Sequence, residues 1–145
     1  MANLGAERED ELGIGEVARQ TGLSVHALRY YEREGLMLSR HVTRGTGGHR
    51  RYSRQDVLWL RMCTRLRASG MPLAQIRRYA GLVREGPGNE QERLDLLREQ
   101  KARVESQVAE LQECLRVINR KVGVYEQHLA SGTASGLWTV TALRP

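Results

Sequence analysis

Apolar residues Ile14, Val17 and Ala18 recur at helical spacing and the run stops at Gly22, which predicts a short amphipathic helix with one narrow face to bury. A second helix follows the turn Thr21-Gly22-Leu23-Ser24. Ser24 suits its N-cap, Val25, Leu28 and Tyr31 or Leu36 turn inward, and Gly35 closes it after Glu34. Two short helices across so brief a turn make a helix-turn-helix. Between Leu38 and Tyr52 the helical period is lost. Gly45, Gly47 and Gly48 separate two short extended runs, which predicts a hairpin. Ser53 then caps a third helix, with Asp56 in the capping-box position and Val57, Leu58, Leu60, Met62 and Leu66 carrying it to Ala68. Trp59 reads as core area within it. Gly70-Met71-Pro72-Leu73 breaks this helix and starts a fourth, whose stripe is Leu73, Ile76, Tyr79, Ala80 and Val83.

Beyond Gly86-Pro87-Gly88-Asn89 the period becomes that of a coiled coil. One seam runs Leu94, Leu97, Lys101, Val104, Val108, Leu111, Leu115, Ile118, Val122, Tyr125 and Leu129, with steps of three and four alternating throughout. At about 1.5 Å per residue this is a rod of roughly 50 Å, too long for so small a chain to cover by itself. A second copy is the natural partner, and Lys101 is a polar position that helps fix register. Ser131 to Pro145 is too short for a ligand-binding domain; Trp138 either docks on the dimer or lies in an unstructured tail.

The pattern therefore predicts a mainly α fold, a winged helix-turn-helix followed by a long dimerisation helix. The expected organisation is a flexible segment 1–11, a DNA-binding domain 12–85, a linker 86–89, a coiled-coil helix 90–130 and a C-terminal tail 131–145.

Charge sharpens this picture. Leu12 to Leu82 holds 13 arginines, no lysine and 4 acidic residues, whereas Val83 to Pro145 holds 9 basic and 9 acidic residues. The basic excess is confined to the first half, and an acidic cluster from Glu7 to Glu11 brings the whole chain to +6. One half suits nucleic acid and the other suits protein. In a helix-turn-helix the start of the second helix enters the major groove, which puts Ser24, Val25, His26 and Arg29 near base edges or phosphates. A hydroxyl of Tyr30 or Tyr31 is placed to reach a backbone oxygen. Arg40, Arg44, Arg50 and Arg51 surround the hairpin, and guanidinium groups offer paired donors to phosphate. Arg77 and Arg78 fit either a solvated face or a further DNA contact.

Other chemistries find little support. His26, His41, His49 and His128 are scattered, with no nucleophile–base pair and no phosphate loop, so neither an enzyme nor a cofactor is expected. Cys63 and Cys114 make no disulfide framework and no metal motif. No signal peptide, long apolar run or lipidation motif is visible, which points to a cytoplasmic protein with no membrane partner.

Taken together, Ile14-Gly15-Glu16-Val17-Ala18, Leu28-Arg29-Tyr30-Tyr31-Glu32, Gly35-Leu36, Arg50-Arg51-Tyr52, Asp56, Leu66-Arg67 and Gly70-Met71-Pro72-Leu73 resemble the MerR family of bacterial transcriptional regulators. The resemblance covers Leu12 to Val83 in detail and the long helix in kind. It implies a homodimer held by an antiparallel coiled coil, bound to a palindrome in double-stranded promoter DNA with an over-long spacer. It implies too that the protein distorts this DNA so that RNA polymerase engages both promoter elements. Carried over by residue, DNA contacts fall on Val25, His26, Arg29 and Tyr30 or Tyr31, and in the wing on Arg44, His49 and Arg51 with Tyr52 behind. His49 departs from the family pattern, where many members have Tyr.

Metal sensors of the family carry cysteines at the start of the long helix and in the loop after it, where this sequence has none, so no metal is implied. Leu97 to Gln127 is similar to the aldehyde- and thiol-stress-responsive branch, which uses a cysteine in the third helix. Cys63 lies in that helix about two residues before the expected position. It is the candidate site for a small-molecule or electrophile effector, against the plainer reading of a small buried hydrophobe. An effector-independent repressor or architectural DNA-binding dimer is the alternative function.

Overall fold

Gly13 and Gly22 bracket the first helix, α1 (Ile14–Thr21), and Gly22 ends it in a left-handed conformation at φ 75° that favours glycine. The computed structural model describes residues 11–38, 43–44 and 50–138. The second helix, α2 (Val25–Arg33), begins where the Ser24 hydroxyl accepts the Ala27 N–H at 3.0 Å. Beyond it, β2 (Thr43–Arg44) and β3 (Arg50–Tyr52) pair antiparallel. A strand unforeseen in the sequence, β1 (Leu12–Gly13), pairs on the other side of β3, giving the order β1-β3-β2.

The third helix is α3 (Arg54–Ala68). Its capping box is complete: the Ser53 N–H donates to the Asp56 carboxylate at 2.8 Å and the Asp56 N–H to the Ser53 hydroxyl at 3.1 Å. It is followed by α4 (Leu73–Glu85) and α5 (Glu90–Ser131). The architecture is thus mainly helical, with a winged helix-turn-helix ahead of one long helix. The chain divides into two compact units, residues 1–100 and 101–145.

In the first unit Val17, Leu28, Leu36, Met37, Leu60, Cys63, Met71 and Ile76 form the buried centre. Trp59 belongs to this core as expected, and its ring stacks on Tyr79 with centroids 5.7 Å apart. Leu58, counted among the apolar positions of its helix, is instead 64% exposed. It sits one residue before Trp59, on the side of α3 turned away from the core.

The segment leaving α2 is held in an unusual way. Its carbonyls lack helical partners and need donors from elsewhere. Arg77 Nε donates to the Glu34 carbonyl at 2.9 Å, Arg84 Nη1 to that of Gly35 at 2.8 Å, and the Trp59 indole N–H to that of Leu36 at 2.6 Å. Arg84 also donates to the Met37 carbonyl. Four consecutive carbonyls are therefore fixed by side chains of α3 and α4.

In the second unit α5 ends at Gly132, again left-handed, with the Thr133 N–H donating to the His128 carbonyl at 2.9 Å. A 3-10 turn over Ala134–Gly136 leads to Trp138, whose ring lies 4.3 Å from the Lys121 ammonium. That cation–π contact gives Trp138 a position within its own chain.

Packing of this kind separates neighbours on α3 from those on α2. Leu28→Ala empties a fully buried site and should cost about 2–5 kcal/mol. Leu58→Ala, on the exposed side, should stay within about 0.5 kcal/mol of the parent. Urea unfolding at fixed protein concentration distinguishes the two.

Candidate nucleic-acid interface

Leu28 and Tyr31 anchor α2 from within, so its other face is left open. Ser24, His26, Arg29 and Arg33 are exposed there, with Val25 and Tyr30 half-buried beside them. The Ser24 hydroxyl accepts the helix-capping bond, which leaves its O–H available to a ligand. Arg33 lies over the Tyr30 ring at 5.7 Å, and Tyr30 meets Tyr31 edge-on at 6.3 Å. The result is a short apolar-and-cationic face of the kind that meets base edges and phosphates. Arg33 extends the helical series through His26, Arg29 and Tyr30, a spacing that would have found it in the sequence.

The wing lies next in the chain. Register pairs Thr43 with Arg51 and Arg44 with Arg50. Arg51 is half-exposed; Arg44 sits in β2 with its side chain outside the described residues, as His49 is altogether. Two expected contacts are corrected by burial. Tyr31 is 6% exposed and Tyr52 is 1% exposed, and both belong to the core. Desolvation correspondingly pushes the Tyr31 phenol above its ordinary pKa. Of the tyrosines, Tyr30 is the one the α2 face presents.

Several arginines counted as nucleic-acid charge turn out to brace the backbone. Arg61 Nε donates to the Gln20 carbonyl at 3.1 Å and Arg67 to that of Met71 at 3.2 Å. Arg77 holds Glu34 through both its carbonyl and its carboxylate, and Arg78 faces Glu92 at 3.4 Å. The sequence reading missed Arg84 as well, because nothing in its local pattern marks a carbonyl donor. A cavity of about 420 Å³ opens between Leu12, Gln20, Arg54, Val57, Leu58 and Arg61, with no residue of α2 in its lining.

Cys63 is fully buried, and burial pushes its thiol up to about 12. Arg61 and Arg65 are exposed on either side and do not lower it, so the reactive thiolate envisaged for this position is not what the fold provides. Cys114 is exposed. Among the described residues no group of three or more His, Cys, Asp or Glu is placed to hold a metal.

Residues 12–81 match the MerR HTH family regulatory protein model, and residues 57–120 match the MerR DNA-binding model. The chain is 33% identical over 122 residues to an uncharacterised HTH-type transcriptional regulator of Haemophilus influenzae, covering 84% of this chain and 89% of that protein. Among solved structures it is similar to a MerR family transcriptional regulator from Listeria monocytogenes, with TM-score 0.77, 28% identity and coverage of 86% and 92%. It is similar also to HiNmlR, described as a MerR family regulator lacking the sensor domain and bound to promoter DNA. There the TM-score is 0.75 and the identity 31%, over 89% of this chain and 96% of that one.

The buried thiol sets a chemical expectation. With Cys114→Ser in place, iodoacetamide at pH 8 should leave Cys63 unlabelled in the folded protein, since pH 8 lies well below a pKa of about 12. Labelling should appear only as denaturant opens the core. Rapid modification of the native chain, followed by mass spectrometry, would show a reactive thiol instead.

Proposed function

The chain belongs to the MerR family of helix-turn-helix regulatory proteins, and on that premise we propose that two copies joined through α5 bind a palindromic promoter site and activate transcription by distorting its over-long spacer. The observation that carries this reading is a pairing of two open surfaces on one chain. The α2 face offers His26, Arg29, Tyr30 and Arg33, with Val25 and the Ser24 hydroxyl at its start and Arg51 half-exposed in β3; the expected contacts at His49 and at the Arg44 side chain lie outside the described residues. Along α5, Leu94, Val108, Leu111, Leu115, Ile118, Val122, Tyr125 and Leu129 are exposed in the single chain, Leu111 by 69%. Leu97 and Val104 continue that seam half-buried. An apolar stripe of this length calls for a partner, and its unbroken three-and-four spacing selects a second helix.

In this reading residues 12–85 are the DNA-binding domain, 86–89 the connection, 90–130 the dimerisation helix and 131–145 a tail, with 1–11 preceding. Double-stranded promoter DNA and RNA polymerase are the partners, in the cytoplasm. Among the described residues no helix is long and apolar enough to cross a membrane. Bending a site of this size takes of order 1–6 kcal/mol of elastic energy, offset by phosphate contacts from both heads and wings.

The α5 segment Leu97 to Gln127 supports the aldehyde- and thiol-stress branch and hence an effector. Burial of Cys63 argues for a packing role there, so an effector acts without bonding to that thiol in the folded state. The similarity to a DNA-bound regulator described as lacking a sensor domain favours a second reading, an effector-independent repressor or architectural dimer.

Arg29→Ala should weaken operator binding by roughly 1–3 kcal/mol if Arg29 reads a base, whereas Arg51→Ala should weaken all sequences alike and flatten the salt slope by about one unit. Either substitution lowering the melting temperature with relative affinity intact marks a structural arginine. Joint replacement of Leu111 and Leu115 by Asp should yield monomers in sedimentation with greatly reduced operator binding. On a promoter whose spacer is shortened to ordinary length, transcription should become independent of the protein or fall when it is added. Continued activation there excludes the distortion mechanism, and occlusion on the long spacer selects the repressor reading.

A further inference from the structure

Between α4 and α5 the chain passes through Gly86-Pro87-Gly88, with Gly86 at φ 88° and Gly88 at φ 111°. In sequence this reads as a linker. Side chains around it hold it in place. Arg93, in the first turn of α5, donates to the Gly86 carbonyl at 2.6 Å and to the Leu82 carbonyl at 3.2 Å. Its Nε donates to the Asn89 side-chain oxygen at 2.6 Å, and the Asn89 amide in turn donates to Leu82 at 2.8 Å. The carbonyls at the end of α4, which would otherwise lack partners, are thus capped by the beginning of α5. Gly88 donates its N–H to the Glu90 carboxylate at 2.9 Å, closing the other side of the bend.

A second fastening lies two turns further along α5. Gln100 is 3% exposed, and its amide donates to the Ser69 carbonyl at 3.0 Å and to the Ser69 hydroxyl at 2.9 Å. The hydroxyl is held in place by donating to Leu66 at 2.7 Å. Residues 90–100 of α5 are therefore fixed to α4 by Arg93 and to the end of α3 by Gln100. Two anchors along one helix define a direction as well as a position.

We propose that Arg93, with Asn89 and Gln100, is a positioning residue that sets the angle at which each DNA-binding head leaves the dimerisation helix, and so selects the spacing between half-sites. This rests on the dimeric DNA-binding reading. Half-sites lie about one helical turn or its multiples apart, so a loose joint would accept several spacings and a stiff one accepts few. A guanidinium suits the task, because its planar fork serves three acceptors at once where an ammonium presents a point charge.

The test measures stiffness directly. In a Cys114→Ser background, a nitroxide on Gln55→Cys, an exposed position of α3, reports the distance between the two heads of the dimer by pulsed electron resonance. The parent should give one narrow distribution and Arg93→Ala a broad one. On a palindromic site recovered by in vitro selection, with its two half-sites re-spaced by one and two base pairs, Arg93→Ala should lower discrimination between spacings by about ten-fold. Arg93→Lys should behave like Ala in both readouts while retaining the parent's salt dependence.

A narrow distribution and an unchanged spacing profile in folded, dimeric Arg93→Ala overturn the proposal. Should that variant fail to fold by circular dichroism, Asn89→Ala removes one anchor of the same joint and is judged by the same two outcomes. Absence of any inter-head distance in the parent means no dimer forms, which overturns the dimeric reading and this proposal with it.

Discussion

The helix α2 must be held firmly while its outer side stays bare. That constraint organises the first unit. Packing from within supplies part of the hold, through Leu28 and Tyr31. The rest comes from the row of carbonyls at Glu34, Gly35, Leu36 and Met37, each accepting a bond from Arg77, Arg84 or Trp59. Because α3 and α4 supply all three donors, the start of the wing and the end of α2 share one frame. A net hydrogen bond contributes only about 1 kcal/mol, more when the donor is charged, yet four in succession leave the segment few alternative conformations.

Arginine serves two ends in this chain. Arg61, Arg67, Arg77, Arg84 and Arg93 bond to backbone carbonyls, while Arg29 and Arg33 are exposed on the α2 face and make no such bond among the described residues. The complete absence of lysine from Leu12 to Leu82 fits the first use as well as the second, since a planar guanidinium presents several N–H donors in fixed directions. The positive balance of the first half thus overstates the charge offered to a polyanion.

Much of this was legible in the sequence because it rests on local chemistry. Ser24 and the Ser53–Asp56 pair announced two helix starts, Gly22 announced an end, and the spacing from Leu94 to Leu129 announced the long helix. What escaped was non-local. The strand β1 is two residues long and exists through its pairing with Tyr52 and Arg51. Leu58 and Trp59 are adjacent and both apolar, so periodicity alone did not say which would face the core. The hydroxyl of Tyr31 looked as suited to phosphate as that of Tyr30, and only packing separates them. Nor does spacing mark Arg84 and Arg93, whose acceptors lie 49 and 7 residues away.

The division of labour among the arginines keeps two responses apart. Guanidinium groups seated directly against backbone carbonyls are less screened by dissolved ions than those that stand in solvent. Those on the open α2 face stand in solvent, where counterions compete for any polyanion. A rise in ionic strength therefore strips the protein from a polyanion without loosening the scaffold that presents it. The released protein keeps its shape, ready to rebind as soon as the ions thin out.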